Sequence, residues 1–352
     1  MVGRQRAAFE GGARLKFSVV IPVYNVAPYL RECLDSLRFQ SFSDWEAVCV
    51  DDGSTDGSGA ILDEYAAVDK RFRVVHQSNA GVSAARNVAL KAVGGDYVTF
   101  LDGDDIYGRD WLAEASRVIS ETGVDLLRMG FAIFSGKTPA VGLSRRKYVV
   151  YEGADAVREW GYPEFALRGF SWLCFMRREK LLGNGLHGFP DGMKLMEDCI
   201  FMIRNASAFD SAAQSEFPGY CYRVRQASAT CSRLTMELFV RLFQEYRSLV
   251  DDMGADVARK TAAVVQNGVV AWANSGDRRQ KDADRRMADM VRQMVRDGYF
   301  DLSCVSWKWR LGCEWVVRMR SFFMIDVLLF LARACRRIRA VFLRGRCAEP
   351  VA

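Results

Sequence analysis

Two apolar, β-prone runs that each break off into an acidic, glycine-bearing turn constrain this chain more than anything else in it. Trp45-Glu-Ala-Val-Cys-Val50 leads into Asp51-Asp52-Gly53-Ser54-Thr55-Asp56, and Tyr97-Val98-Thr99-Phe100-Leu101 leads into Asp102-Gly103-Asp104-Asp105. Short runs rich in β-branched and aromatic residues that stop at turn formers read as buried strands. Carboxylates at positions i and i+2 of a strand mouth make a hard-oxygen site for a divalent cation, and a glycine between them lets a diphosphate approach the backbone. Two such strand ends in one α/β domain point to a site for a nucleoside diphosphate.

The residues between these turns supply the rest of the pattern. Phe17–Val23 is a further apolar run, Pro28–Phe39 has helical spacing, and Gly57–Asp69 is helical from a Ser/Asp-rich start. Arg73–Gln77 reads as a short strand and Ser83–Val93 as a helix ended by Gly94-Gly95. Strands alternating with helices imply right-handed crossovers, a mostly parallel sheet and ligands at the carboxyl ends of the strands.

Five motifs follow one another in order: Phe17-Ser-Val-Val-Ile-Pro-Val-Tyr-Asn25, the acidic turn 51–56, Asn79-Ala-Gly-Val-Ser-Ala-Ala-Arg-Asn87, Leu101-Asp-Gly-Asp-Asp105 and Met196-Glu-Asp198. In this the chain resembles the family 2 glycosyltransferases, inverting enzymes that use nucleotide sugars, over about residues 17–235. The resemblance implies an α/β fold of GT-A type, a Rossmann-like, mostly parallel sheet with helices on both faces, followed here by a C-terminal helical extension. It implies Mg2+ or Mn2+ held by Asp104, with Asp102 sharing the metal or meeting the ribose and Asp105 a weaker candidate. Donor contacts carried over in the same way fall on Pro22, Tyr24, Asp51, Asp52, Arg86, Asp102 and Gly103. Asp52 matches the uracil-contacting carboxylate, Tyr24 flanks the base, and Arg86 meets the base or the pyrophosphate. Asp198 matches the general base, with Glu197 second; read on their own, both carboxylates would also suit the first turn of a helix. The chain departs from the family at Ala89, where many members carry glycine, and the extra methyl is expected to tighten the donor pocket. Tyr220-Cys-Tyr-Arg-Val-Arg-Gln-Ala-Ser228 is similar to a segment of bacterial members whose role the sequence does not supply.

At 352 residues the chain exceeds one ordinary domain. We read it as a tail (1–16), a nucleotide-sugar half (17–130), an acceptor half (131–235), a charged helical region (236–300) and a basic segment (301–352). The ten cysteines show no Cys-x-x-Cys pair and several lie in apolar runs, so reduced, buried thiols are expected rather than zinc or disulfides. The first sixteen residues lack the apolar stretch of a signal peptide. From residue 301 onward ten Lys/Arg face four Asp/Glu, an excess that equals the net +6 of the whole chain. Trp307, Trp309, Trp315 and Phe322 precede an uncharged run too short to span a bilayer, which needs about 20 apolar residues. Asp326, Arg333 and Arg337 share one helical face, the pattern of a segment lying on an anionic membrane surface or, alternatively, packing in a homodimer.

These readings converge on transfer of a single sugar from a nucleotide donor, most simply a UDP-sugar, to a hydroxyl of a glycan or lipid-linked glycan at the cytoplasmic face of the membrane. Nucleic acid is not an expected partner. A processive synthase is disfavoured, because its Gln-x-x-Arg-Trp motif and membrane spans are absent. A dehydrogenase fails for want of Gly-x-Gly-x-x-Gly after the first strand. A polyprenyl-phosphate glycosyltransferase and a non-catalytic nucleotide-sugar scaffold remain as alternatives. The two histidines, His76 and His187, have no triad partners and read as structural.

Overall fold

The computed structural model describes residues 15–136, 147–183, 185–193, 196–225, 236–254, 281–299 and 307–320, with a few isolated positions besides. The chain divides into two compact units, Met1–Ser232 and Arg233–Ala352.

The first unit is a layered α/β structure. Strands β1 (Phe17–Val23) and β2 (Trp45–Asp51) are buried along their whole length, as a strand with neighbours on both edges and helices on its faces should be. They pair in parallel with each other, with β3 (Phe72–His76) and with β4 (Tyr97–Phe100). Helices α1 (Ala27–Arg38), α2 (Ser58–Val68) and α3 (Val82–Leu90) make the crossovers. α1 buries Leu30, Cys33, Leu34 and Leu37, one stripe at helical spacing. The β1–β4 ladder ends at Val20↔Phe100, so Pro22, two residues further on, removes no donor from it.

Beyond β4 the sheet becomes mixed. β9 (Cys174–Arg177) runs antiparallel between β4 and β6 (Leu126–Arg128); β10 (Ser211–Ser215) returns parallel to β6, and β8 (Tyr148–Glu152) closes the edge antiparallel. The order is β3-β2-β1-β4-β9-β6-β10-β8. A second sheet, β5 (Ile106–Tyr107), β11 (Tyr220–Arg223) and β7 (Phe131–Phe134), covers the residues that follow the β4 turn. Helices α4 (Trp111–Thr122), α5 (Ala154–Arg168), α6 (Arg178–Gly183) and α7 (Glu197–Asn205) complete the unit. α4 stops at Gly123, whose φ of +65° is the left-handed conformation glycine adopts without strain.

In the second unit, helix Met236–Met253 buries Phe239, Leu242, Phe243, Tyr246, Leu249 and Val250 on one face, and Tyr246 Oη lies 3.1 Å from Thr261 Oγ1. Helix Lys281–Arg296 and helix Trp307–Met319 are tied by Arg292, which donates from Nε to the Val317 carbonyl at 2.8 Å. The basic cluster Arg333–Arg346, and with it the expected surface-lying face, falls outside the described residues. Among the described residues no helix is long and apolar enough to cross a membrane. Among the described residues six cysteines, at 33, 49, 174, 199, 221 and 313, are buried and unpaired.

Candidate active site

The acidic turn after β2 is an organised loop rather than a solvated one. Asn25, with φ +51°, donates its N–H to Ser54 Oγ (3.1 Å) and accepts at Oδ1 from Thr55 N–H (2.8 Å). Asp56 and Ser58 accept from the Ala27 and Val26 amides at 2.9 and 3.0 Å, so the loop satisfies backbone donors at the start of α1 that the helix cannot. Asp51 accepts from Ser54 N–H and from His76 Nδ1, both at 3.0 Å. Burial would raise its carboxyl, but the Ser54 and His76 donors outweigh burial and hold it below the ordinary value. Asp52, 2% exposed, receives Gln77 Nε2 (2.7 Å) and Ala80 N–H (2.8 Å) on Oδ1 and Gly81 N–H (2.8 Å) on Oδ2. It therefore fixes the turn that launches α3. Tyr24 is 49% exposed at the end of β1, so it is not a core aromatic.

Three carboxylates crowd the end of β4. Asp102 and Asp104 keep 26% and 16% of their side chains exposed, whereas Asp105 is sealed under β11. Asp105 accepts from Tyr220 Oη at 2.8 Å and from Arg223 N–H at 2.7 Å. It is pushed up to about 8 by burial and by the charges of Asp102 and Asp104. The weaker metal candidate is thus an anchor for the loop. Burial, with Asp102 alongside, also raises Asp104, although Arg225 donates from Nε to its Oδ2. Arg223 adds a bond from Nε to the Asp104 carbonyl at 2.8 Å. Gly103 serves packing: a Cβ there would lie 3.1 Å from Val26 Cγ2 and 3.4 Å from both Val23 Cγ2 and the Pro22 carbonyl. The close approach is to Val26 and to the end of β1.

Arg86 joins the parts. Its guanidinium, 3% exposed, donates from Nη2 to Asp102 Oδ1 (2.9 Å) and from Nη1 to Asp198 Oδ1 (2.9 Å) and Glu197 Oε1 (3.2 Å), and lies 5.1 Å from the centre of the Phe189 ring. Burial works against its charge, but Asp198, Asp102 and Glu197 outweigh burial and hold it protonated. Asp198 also accepts from buried Ser171 Oγ at 3.1 Å, and it sits above the ordinary carboxylate range because burial, aided by Glu197 and Asp102, exceeds the pull of Arg86. Glu197 and Asp198 do open α7, after Met196 at a φ of +59°. A bulky residue in that conformation is uncommon, and it turns the pair toward Arg86.

Ala89 is buried on α3 with none of its surface reachable by solvent, so its methyl packs in the core. His187 lies by its backbone against Asn205, while His76 bridges Asp51 and Asp63, both consistent with structural roles. Sequence reasoning missed Ser171, Phe189 and the roles of Tyr220, Arg223 and Arg225. A signal was present only for the last three, in the Tyr-x-Tyr-Arg-x-Arg order of residues 220–225.

The carboxylates of Asp102 and Asp104, hard donors at an accessible strand mouth, fit Mg2+ or Mn2+. Among the described residues no group of three or more His, Cys, Asp or Glu side chains could hold a metal ion, so the remaining positions would be left to ligand oxygens and water.

Comparison with known proteins agrees with this geometry. The family model described as glycosyl transferase family 2 matches residues 18–197. The uncharacterized glycosyltransferase EpsJ of Bacillus subtilis (strain 168) is 30% identical over 305 residues, 79% of this chain and 86% of EpsJ. The putative teichuronic acid biosynthesis glycosyltransferase TuaG of the same strain is 40% identical over 118 residues, 31% of this chain and 47% of TuaG. Among solved structures, S. aureus TarS 1–349 in complex with UDP-GlcNAc superposes with a TM-score of 0.67 at 22% identity, over 91% of this chain and 92% of that one. The fold is that of the GT-A glycosyltransferases, and the chain belongs to glycosyltransferase family 2.

Proposed function

We propose that this glycosyltransferase moves one sugar from a UDP-sugar, in the presence of Mg2+ or Mn2+, to a hydroxyl of a glycan or lipid-linked glycan, with inversion at the anomeric carbon. The observation that carries the reading is Arg86, which binds the β4-end carboxylate Asp102 and the α7 carboxylate Asp198 through one buried guanidinium. It supports a single reaction centre between the donor loops and α7. Asp198 is the general base: its raised affinity for a proton suits a group that must take one from an acceptor hydroxyl near neutral pH. One displacement from the face opposite the diphosphate then inverts the configuration. When bound, the divalent cation would be held by Asp104 and Asp102 and would neutralise charge on the departing diphosphate. Tyr24 offers an exposed ring to the base, and Asp52, with a single donor on Oδ2, retains an acceptor lone pair for the uracil N3–H.

TarS is complexed with UDP-GlcNAc, and TuaG is described as a teichuronic acid enzyme. The first favours a UDP-sugar donor and the second a cell-surface polysaccharide for the present chain. We place it at the cytoplasmic face of the membrane, with the basic residues beyond 301 as its contact to anionic lipid. A nucleotide-sugar screen with Mn2+ tests the assignment: a donor at tenfold excess over its Kd should stabilise the fold by about 1.4 kcal/mol and be hydrolysed slowly. If every UDP-sugar failed while another nucleotide sugar passed, the donor class would be wrong.

A further inference from the structure

The carboxylates at the end of β4 are met in three ways. Asp102 pairs with Arg86, Asp105 is held by the neutral donors Tyr220 Oη and Arg223 N–H, and Asp104 pairs with Arg225. Arg223 and Arg225 differ in how firmly they are held. Arg223 is fixed by Glu32 at 2.7 Å, by the Asp104 carbonyl and by its own N–H on Asp105. Arg225 lies two residues past the end of β11, beyond exposed Val224, with its guanidinium on Asp104 and 5.4 Å from the Tyr29 ring. Its anchor is therefore the carboxylate assigned to the metal.

A partly buried carboxylate gains from one neighbouring cation, but a second cation on the same group meets like-charge repulsion that the low local dielectric strengthens. A guanidinium and a divalent ion at Asp104 thus oppose each other. Once a nucleoside diphosphate accompanies the ion, the balance changes, because its phosphate oxygens are acceptors matched to the planar fork of arginine.

We propose that Arg225 is an exchangeable counter-ion of the metal site: it occupies Asp104 in the cation-free enzyme, gives way as the metal and nucleotide enter together, and then positions the diphosphate. The proposal rests on Asp104 being the metal ligand. Its consequence is a coupling of opposite signs, with the free ion held off and the ion–nucleotide complex favoured.

The test is binding rather than turnover. Mn2+ affinity, from titration of the free-ion EPR signal, and UDP affinity at saturating Mn2+, from calorimetry, are measured on the full chain and on Arg225→Gln, Arg225→Lys and Asp104→Asn. Arg225→Gln should bind Mn2+ alone about tenfold more tightly and UDP with Mn2+ about tenfold more weakly, each a change of about 1.4 kcal/mol. Arg225→Lys keeps the charge but not the fork, so its Mn2+ affinity should stay near wild type while UDP binding falls. This variant also carries the test if Arg225→Gln does not fold. Shifts of the same sign for both ligands, or none, would overturn the exchange and leave Arg225 a structural ion pair. Undiminished Mn2+ binding by Asp104→Asn would instead overturn the metal assignment, whatever Arg225 does.

Discussion

Arg86 draws together carboxylates that lie 16, 111 and 112 residues away in sequence, and nothing local in the chain announces that convergence. The strand-end carboxylates were legible, because a run of β-branched residues broken by Asp and Gly marks its own boundary. The partners of those carboxylates were not. Ser171 and Phe189 reach the site through tertiary structure, and a serine or a phenylalanine is unremarked in sequence until something charged stands beside it; Arg225 lay in a noted segment, but its partner Asp104 was not legible. Two predictions belong here. Asp104→Asn should abolish metal-dependent UDP binding and sugar transfer while leaving the thermal midpoint near wild type; retained turnover in Mn2+ would refute the metal role. Asp198→Asn should lower kcat about 10²-fold with donor affinity nearly unchanged, a split that calorimetry and steady-state kinetics resolve. The pH dependence sharpens the second. The base acts deprotonated, and the Ser171 hydrogen bond lowers the proton affinity of Asp198. Ser171→Ala should therefore move the acidic limb of kcat/KM to higher pH; a limb that stayed in place would separate Ser171 from the base.

Among elements, the first four strands and three helices were readable from periodicity, to within a few residues at their ends. The later strands were not: β6, β7 and β9 are three or four residues long, too few to show a period, and none ends in the acidic turn that marks the equally short β4. Gly95 illustrates how tightly the early elements are joined. A Cβ there would lie 2.8 Å from both the Lys16 carbonyl and the Ser18 amide, backbone atoms with nowhere to go. Its own N–H donates to Ser18 Oγ at 2.8 Å, and that hydroxyl donates to Glu46 at 2.7 Å. Gly95→Ala should destabilise the fold by about 1–3 kcal/mol in denaturant titration. At the end of β3, hydrogen bonds to Asp51 and Asp63 raise His76 above its ordinary value. The sign follows: a raised histidine contributes stability in full below its unfolded pKa of about 6.5 and loses it as pH rises through the folded value. The gap in thermal midpoint between wild type and His76→Gln should be widest at mildly acidic pH and narrow toward pH 8.

For the whole molecule, charge is partitioned: residues 1–300 are neutral in sum and the excess lies beyond them. A Lys or Arg near an anionic bilayer contributes about 1 kcal/mol, so replacing Arg333, Arg336, Arg337 and Arg339 with Gln should release the protein from anionic vesicles, as should salt in part, while donor hydrolysis continues. Loss of a dimer without loss of vesicle binding would assign the segment to self-association instead. The antiparallel insertion of β9 between β4 and β6 has a consequence in time. As the chain leaves the ribosome, β1 to β4 can assemble in order, but the outer edge of β4 and the matching edge of β6 stay unpaired until Cys174–Arg177 emerges. Open edges of this kind template association with other chains. Nascent chains stalled before residue 174 should therefore aggregate or recruit chaperones, and those stalled after the exit of β10, which covers the other edge of β6, should do so less.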